Sequence, residues 1–562
     1  MTIAILLVLW SACATVPDAQ LAAAEQSGNQ ADAYTHYLMG VIHQRAGQYE
    51  DALKEFRKAS DLAPGSLSLD IRLIQYYVDL QDYPNAEQMC KRVLEQRKDD
   101  ASLWIILGRI YQEQDKYEDA AQAFQKAVEL KPSDPDDYQR LILAGEQAND
   151  QITTIDVLEK FIEINPKSEQ LHLQLGLTYL RINNVESAKT AFEKALGLNA
   201  GLSQAQLLLG VCLLELGNPS AAAEHFRTFL QQSPDDDEGH VYLAGALGQQ
   251  QQYQAAADEL KIVIARGQAK PQHTLDLMYL LIRAGRYDEA SEIIPPNDAP
   301  ILGTLFRAWA RKFASQPYRP LLDSLDSVEG EIDAECTDFL NSLLFRYGKQ
   351  DAGEFAISSL KALRDEGVKS KYVDIVLART YISLEKNAEA GELLEAALAQ
   401  YGPDKWIHYY LGTVYEALDK VKDAEKHLKA TLALDPEDAE VMNFLGYLYA
   451  EKNISLDEAE KLLNQALAIE PNNAFYLDSL GWIYYRQGKA DLAIESIRKA
   501  IVLMTSDDAV LRDHLGDVYL LKGDKVRAVG EWERAHRLDP KLEGVQEKID
   551  KYKKKLKKGP SK

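Results

Sequence analysis

The chain has 562 residues, of which 46% are hydrophobic and 27% are charged, a composition that is ordinary for a folded protein and excludes a disordered or collagen-like chain. Its formal charge is −24, so most of its surface repels phosphates, and we expect no nucleic-acid partner. Its four cysteines are far apart in the sequence, which excludes a disulfide scaffold and a cysteine-based zinc site.

The first predicted element is an apolar leader. Residues 3–10 form the longest apolar run, which is too short for the ~20 residues of a membrane-spanning helix. Ser11, Ala12 and Cys13 follow it, and this arrangement resembles a bacterial lipoprotein signal. The resemblance implies a signal over residues 1–13, lipidation of Cys13 and sorting to the outer membrane, facing the periplasm, because Ala14 follows the cysteine. Residues 14–32 are predicted to be a flexible linker.

A 34-residue repeat occupies most of the remaining chain. An alanine stands twelve residues after most of its small or apolar anchor residues, and an apolar residue stands sixteen after many of them. Small residues are needed where two antiparallel helices cross closely, so the pattern predicts an all-α array of about 13–14 helix–turn–helix repeats. The anchors are Gly40, Ile74, Gly108, Ile142, Gly176, Gly210, Ala244 and Met278, then Leu340, Ala378, Gly412, Gly446, Gly481 and Gly516.

One repeat matches a known signature at every position. Its residues are Trp104, Leu107, Gly108, Tyr111, Ala120, Phe124, Ala127 and Pro132, and by them the chain resembles the tetratricopeptide repeat family. The resemblance covers about residues 33–540. It implies a right-handed superhelical solenoid whose inner groove, lined mainly by the first helix of each repeat, binds a protein or peptide partner.

The repeat pattern breaks in the middle of the chain. Five prolines fall between Pro295 and Pro320 and interrupt regular stacking. We therefore predict an N-terminal array over 33–294, a degenerate joint over 295–335 that contains one irregular helix pair and can bend, and a C-terminal array over 336–540. Residues 541–562 carry nine lysines and three acidic residues and are predicted to form a basic capping helix and tail.

Sequence motifs of catalysis, metal binding and cofactor binding are absent. The ten histidines show no metal-ligand spacing, and Asp235, Asp236 and Asp237 are expected to cap the next helix. We predict a protein that is not an enzyme, with no catalytic residue, no metal and no cofactor. Cys90, Cys212 and Cys336 are expected to be buried thiols.

Groove-facing residues can be read from the repeat register, because positions three before and one after each anchor usually face inward in this family. In the N-terminal array they are aliphatic, namely Leu173, Leu177, Leu207 and Val211. In the C-terminal array they become aromatic and polar, which suits protein recognition. The predicted partner-binding residues are Trp406, Tyr409, Asn443, Tyr447, Asp478, Trp482, Tyr485 and Arg486, with Asp513 in the last repeat.

The leading functional hypothesis is a membrane-tethered scaffold or adaptor. Residues 445–500 resemble a group of large proteobacterial tetratricopeptide lipoproteins of the cell envelope, some of which dock a periplasmic C-terminal-processing protease. Two alternatives stay open: a scaffold lipoprotein for pilus or polysaccharide-export assembly, or a cytoplasmic interaction hub if the leader is not an export signal. Self-association is also open, because such arrays do pair but the sequence singles out no interface.

Overall fold

A computed structural model describes residues 28–557 of the chain, apart from residues 149, 268, 296, 299, 326–331 and 505–506. Within these residues the secondary structure is helical, and they contain no strand. Cys13, the predicted signal and most of the predicted linker lie outside the described residues. The first helix begins at Gly28, inside the segment predicted to be a linker.

The described chain divides between Ile164 and Asn165 into two compact units. In the first unit, first and second helices of the repeats alternate as α1 (Gly28–Arg45), α2 (Tyr49–Leu62), α3 (Leu67–Asp79), α4 (Tyr83–Gln96), α5 (Ala101–Gln112), α6 (Tyr117–Leu130), α7 (Pro135–Gln147) and α8 (Gln151–Ile164). The all-helical repeat fold predicted from the sequence is confirmed.

The second unit continues the alternation and contains the irregular joint. Its helices before and within the joint are α9 (Glu169–Arg181), α10 (Val185–Leu198), α11 (Ser203–Glu215), α12 (Pro219–Gln232), α13 (Asp237–Gln249), α14 (Tyr253–Ala265), α15 (Pro271–Arg283), α16 (Tyr287–Glu292), α17 (Pro300–Phe313), α18 (Arg319–Asp323), α19 (Ile332–Glu335) and α20 (Asn341–Tyr347), with a π-helical turn over Cys336–Leu340 between the last two.

After the joint the regular helices resume. They are α21 (Lys349–Asp365), α22 (Lys371–Ser383), α23 (Asn387–Tyr401), α24 (Lys405–Ala417), α25 (Val421–Leu434), α26 (Ala439–Glu451), α27 (Leu456–Ile469), α28 (Ala474–Arg486), α29 (Ala490–Leu503), α30 (Ala509–Leu521), α31 (Lys525–Leu538) and α32 (Val545–Lys557). None of the described helices combines the length and apolar composition that crossing a membrane requires.

The anchor residues show why the repeat needs glycine. A Cβ added to Gly108 would lie 2.6 Å from the ring of Phe124, which is sixteen residues further on. The same relation joins Gly40 to Phe56 and Gly516 to Trp532. The side chain sixteen residues after the anchor therefore packs directly onto the anchor, while the buried alanine at position twelve lets the second helix approach.

Polar side chains fix where the first helices begin. Asp100, Asp236 and Asp438 each accept a hydrogen bond from a backbone N–H of the following helix, as expected of N-cap residues. Asp236 thus has the predicted capping role, while its neighbours Asp235 and Asp237 pair with Arg266 at 2.9 and 3.0 Å.

The proline-rich joint is packed into the core of the second unit. It contains the helices α17 and α18, and one hydrophobic cluster runs from Val185 through Trp309 to Val414. α15 is buried on all sides, because α16 and α17 pack on it and Tyr347 of α20 lies against its Tyr279, with ring centroids 5.1 Å apart. The joint therefore continues the core instead of interrupting it.

Two glycines make room for α20. A Cβ on Gly245 or Gly248 of α13 would meet the side chains of Arg346 and Tyr347. Arg346 forms an ion pair with the fully buried Asp276 of α15, and burial raises the pKa of Asp276 to about 6 although Arg346 opposes the shift. α20 thus occupies the side of α13 on which the sequence predicts a groove.

The C-terminal helix α32 packs on the last repeat of the second unit. Val545 and Ile549 of α32 are buried in a cluster with Trp532 of α31. The ammonium of Lys548 pairs with Asp513 at 2.7 Å and with Asp517 at 2.8 Å. Residues 558–562 lie outside the described part of the chain.

Candidate partner-binding face

Most of the predicted binding residues lie on the first helices α24, α26 and α28, which follow one another in the second unit. Contacts between neighbouring first helices join them into one surface. The hydroxyl of Tyr409 on α24 donates to Glu440 on α26 at 2.8 Å, and the indole N–H of Trp482 on α28 donates to Glu451 on α26 at 2.8 Å. We call the surface formed by these residues and their counterparts on α22 and α30 the first-helix face.

The aromatic residues of α24 form one end of the predicted set. Trp406 and Tyr409 are partly exposed and meet edge to face, with ring centroids 5.9 Å apart. The ammonium of Lys405 lies 4.6 Å from the Trp406 ring centroid, and Phe444 of α26 meets Tyr409 at 6.4 Å. This part of the face offers aromatic surface to a partner.

A second aromatic group surrounds Trp482. Tyr485 stacks on Trp482 at 4.6 Å and His514 of α30 stacks on it at 4.1 Å, while the Arg486 guanidinium lies 5.0 Å from its ring centroid. Trp482 is only 7% exposed, whereas Tyr485 and Arg486 are partly exposed. Trp482 therefore packs neighbouring repeats together, and Tyr485 and Arg486 present the accessible surface.

Asp478 is also buried and is held by the next repeat. Its two carboxylate oxygens each lie 3.1 Å from Nδ1 of His514. Burial by itself would lower the pKa of His514, but the charge of Asp478 and the hydrogen bond to it, together with nearby Asp513 and Asp517, raise that pKa overall. The Asp478–His514 contact consequently favours a protonated imidazole beside Trp482.

Tyr447 lies between the two aromatic groups on α26. Burial raises the pKa of Tyr447, and the adjacent charges of Glu451 and Asp478 raise it further. The phenol is therefore neutral at physiological pH and can donate a hydrogen bond.

Three polar side chains on this face have buried atoms without a hydrogen-bond partner among the described residues. These atoms are Oδ1 of Asn443, Nε of Arg486 and Nε of Arg379. Arg379 lies on α22 one residue after its anchor, with its guanidinium 5.9 Å from the Tyr410 ring centroid. Buried polar atoms are nearly always paired, so these three are exceptions on the first-helix face.

The structure brings the predicted residues together in two groups. Trp406 and Tyr409 form the first, Asp478, Trp482, Tyr485 and Arg486 form the second, and Asn443 and Tyr447 lie on α26, the first helix between them. Asp513 is at the end of the face, paired with Lys548. The aliphatic residues Leu173, Leu177, Leu207 and Val211 are half-buried on α9 and α11 against the core of the same unit.

Sequence reasoning missed His514, Glu451 and Arg379. The register did contain a signal for Arg379, because it stands one residue after the anchor Ala378. No comparable signal identified His514, since its role depends on a stacking contact with the next repeat.

The cysteines and possible metal ligands can also be located in the structure. Cys90, Cys212 and Cys336 are buried and unpaired, as expected, and burial raises the pKa of Cys90 and Cys212 to about 12. In the described part of the chain, no group of three or more histidine, cysteine, aspartate or glutamate side chains is arranged to hold a metal ion.

Family comparisons identify the repeat. Three models, each described as a tetratricopeptide repeat, match residues 33–66, 71–135, 173–237, 381–446 and 479–543, which together make up about half of the chain. The chain belongs to the tetratricopeptide repeat family. Several of the matched segments contain predicted anchors with the 34-residue spacing.

Solved structures of similar fold include large helical-repeat proteins. The Naa15/Naa10 complex bound to HypK-THB is 15% identical, with 93% of this chain and 96% of that chain covered at a TM-score of 0.41. The Cut9-Hcn1 hetero-tetramer of the APC/C is 13% identical, covering 95% and 98% at 0.35. Yeast Tom70 is 16% identical, covering 82% and 96% at 0.32. No curated protein matches the sequence, and likenesses at these identities concern the fold alone.

Proposed function

We propose that this tetratricopeptide repeat protein is a non-enzymatic scaffold that binds partner proteins on the first-helix face of its second unit. The observation that carries the proposal is the side chain of Asn443. Its amide is half-buried on α26, and its Oδ1 has no hydrogen-bond partner among the described residues. An unsatisfied buried amide costs about 1–3 kcal/mol. A rotation of the side chain that brings Oδ1 to the surface would let a bound polypeptide remove that cost by donating a main-chain N–H.

Other residues of the first-helix face suit the same ligand. Tyr409 on α24 and Tyr485 on α28, the first helices before and after α26, have partly exposed rings, and aromatic side chains provide large contact area with little loss of rotamer entropy. Arg486 and Arg379 have unused donors for carbonyl or carboxylate oxygens. An extended protein segment supplies all of these groups together.

We further propose that the scaffold is tethered in the bacterial envelope by acyl chains at Cys13. The support is the lipoprotein-like segment that ends at this cysteine. A lipid anchor would restrict the protein to one membrane surface and raise its effective concentration for partners there. On this proposal the protein acts as an adaptor for a periplasmic C-terminal-processing protease, as the resemblance of residues 445–500 implies.

A mild cross-linking pull-down from native membranes tests both parts of the proposal. Full-length wild type is compared with Cys13→Ala and with Asn443→Ala, and the captured proteins are identified. Recovery of a periplasmic protease that is lost in both variants supports the adaptor role. Recovery of a secretin, pilus or polysaccharide-export component supports assembly scaffolding instead, and cytosolic partners that do not depend on Cys13 contradict the tether.

A matched control separates the face from general stability. Asn464 of α27 is an exposed amide whose Nδ2 donates to the Glu460 carbonyl at 2.8 Å. Asn464→Ala should leave capture unchanged. If Asn443→Ala also leaves capture unchanged, Asn443 is not part of the binding surface.

A further inference from the structure

One position of the repeat register joins the two helices of a repeat by a polar contact. The partners are the residue four before the anchor, on the first helix, and the residue fifteen after it, on the second helix. In four repeats the two side chains are complementary, so that one donates and the other accepts. These contacts are His36–Glu55 at 2.5 Å, Gln206–His225 at 2.6 Å, His240–Glu259 at 2.6 Å and Arg512–Glu531 at 3.1 Å.

In the repeat formed by α24 and α25, both positions are histidine. Nδ1 of His408 lies 2.9 Å from Nδ1 of His427, and the ring planes are inclined by 37°. His427 is buried and His408 is partly exposed. An imidazole nitrogen either donates or accepts, so the two Nδ1 atoms are held together by one shared proton.

Glu395 of α23 determines which ring donates that proton. Its Oε1 lies 3.7 Å from Nε2 of His427 and accepts a hydrogen bond from the Tyr415 hydroxyl at 2.6 Å. The charge of this carboxylate favours a proton on Nε2 of His427, which leaves Nδ1 of the same ring as an acceptor. His408 is therefore assigned as the donor.

This contact tolerates one added proton but not two. The first proton binds Nε2 of His408, and Nδ1–H of the resulting imidazolium still donates to His427. The second proton has to occupy Nδ1 of His427. Two N–H groups and two positive charges would then face each other across 2.9 Å, an arrangement that like-charge repulsion opposes.

Charged groups from three places act on the two rings. They are Glu395 of α23, Asp404 at the N-cap of α24, and Asp423 and Lys426 of α25. Burial lowers the pKa of both rings, the charge of the α24 ring lowers that of the α25 ring further, and Lys426 lowers both. The carboxylates oppose the shift, Glu395 on both rings, Asp404 on the α24 ring and Asp423 on the α25 ring.

We propose that the His408–His427 contact is a pH switch, which holds α24 against α25 at neutral pH and releases it in acid, when the pair takes up a second proton. The opened repeat binds protons at the ordinary histidine pKa of about 6.5, whereas the closed repeat binds them only at lower pH. Each proton that only the open form binds favours opening by about tenfold per pH unit. The stability of the closed repeat is therefore fully present above about pH 6.5 and decreases as the pH falls below it.

Opening of the switch would also affect the first-helix face. Trp406 and Tyr409 stand beside His408 on α24, so release of this helix displaces both rings and weakens binding at that end of the face. This consequence rests on the proposed function, whereas the opening itself does not.

Hydrogen exchange of the full-length protein, followed by mass spectrometry, tests the proposal. Peptides from residues 405–434 report the opening of α24 and α25, and their rates are corrected for the intrinsic pH dependence of exchange. The opening constant should be at least about tenfold larger at about pH 5 than at about pH 7.5. A local measurement is needed because other histidines, such as His514, respond to pH with the opposite sign.

Two variants copy pair types that the chain uses elsewhere. His408→Gln gives the Gln–His pair of Gln206 and His225, in which the amide accepts from a protonated ring, so the acid-induced increase in opening should shrink about threefold or more. His408→Glu gives a Glu–His pair, in which a protonated ring is stabilised, so opening should become rarer in acid. His43→Gln is the control, because His43 contacts Gln48 in the first unit, and it should leave exchange of residues 405–434 as in wild type.

Two results would overturn the proposal. One is an opening constant of the wild-type repeat that is the same at both pH values. The other is an acid-induced increase that His408→Gln retains in full, since the increase would then arise from other groups. Neither result depends on partner capture or on Asn443, so the pH switch and the proposed function can fail separately.

Discussion

The indole of Trp482 stacks on the imidazole of His514, with ring centroids 4.1 Å apart and planes inclined by 20°. The two residues belong to successive repeats, and Asp478, one helical turn before Trp482, holds the other side of the contact through Nδ1 of His514. Repeat proteins gain much of their stability from such interfaces between neighbours. Trp482 therefore contributes to folding at the same place where the face is available to a partner.

Trp482→Ala should destabilise the second unit by about 3 kcal/mol, because truncation of a buried aromatic leaves a cavity and leaves the Glu451 carboxylate without its indole donor. Thermal and urea unfolding followed by circular dichroism measure the loss. Phe475→Ala is the matched control, since this ring lies on the same helix and is 61% exposed; we expect a change within about 0.5 kcal/mol. A Trp482→Ala protein as stable as wild type would contradict the packing role.

The Asp478–His514 contact should make stability depend on pH. The pKa of His514 is raised above its ordinary value of about 6.5, so the folded protein retains a proton that the unfolded chain releases. The resulting stabilisation is fully present below about pH 6.5 and is lost as the pH rises through the pKa of folded His514. Asp478→Asn should therefore lower the melting temperature more at pH 6 than at pH 9. A deficit of the same size at both values would refute this assignment.

Glycine at the anchor should be required by packing. A Cβ on Gly481 would lie 2.5 Å from Ile497 Cγ1 and 3.3 Å from the Ala493 carbonyl oxygen, so Gly481→Ala should destabilise by about 1–3 kcal/mol and Gly481→Leu by more. Gly530 of α31 is a control with open space around its Cβ position. Gly530→Ala should stabilise by about 0.5–1 kcal/mol through helix propensity. Calorimetric melting distinguishes the two, and cooperative unfolding of Gly481→Leu at the wild-type temperature would mean that the register is wrong.

The repeat register predicts which helix face a side chain takes, but it does not predict the partner on the next helix. It assigned Asn443 and Tyr447 to inward positions of the first helices, with Tyr485 close by. It could not show that Trp482 is covered, because its cover comes from His514 in the following repeat. Contacts of this kind depend on how far one helix pair is rotated and displaced from the next, which a 34-residue period leaves undetermined.

Packing at the proline-rich joint could also be predicted only in part. Five prolines predict interrupted helices, and the segment between Pro295 and Pro320 contains α17 and the start of α18. The sequence also contained a sign of continuous packing, since residues 275–282 are apolar at nearly every position, which is typical of a helix buried on all sides. Prolines determine where a helix can end, whereas burial determines whether the core continues.

Removing one partner of the Asp276–Arg346 ion pair should destabilise the fold strongly, whereas replacing both partners with apolar residues should destabilise it little. Asp276→Leu alone leaves the Arg346 guanidinium largely buried without its carboxylate, so we expect a loss of about 3–5 kcal/mol. Asp276→Leu combined with Arg346→Met removes both charges and should recover most of this loss. Urea unfolding of the full chain gives both values. If the double variant is as unstable as the single one, the pair has a structural role that apolar packing cannot replace.

Replacing Asn443 should leave the stability of the free protein unchanged or raise it, while it weakens binding of a partner. Replacement by leucine removes an amide oxygen that has no hydrogen-bond partner in the described structure, so the free protein should be as stable as wild type or up to about 1 kcal/mol more stable. The same change deletes the acceptor proposed for a partner's main chain, and capture of the protein recovered in the pull-down should fall about tenfold or more. Residues kept for function often lower stability in this way.

Thermal melting and equilibrium binding of that partner provide the two measurements, with Asn464→Leu as the control on an exposed amide. If Asn443→Leu instead lowers stability and leaves affinity unchanged, the amide serves the fold, and the first-helix face of the second unit loses its main support as a binding surface.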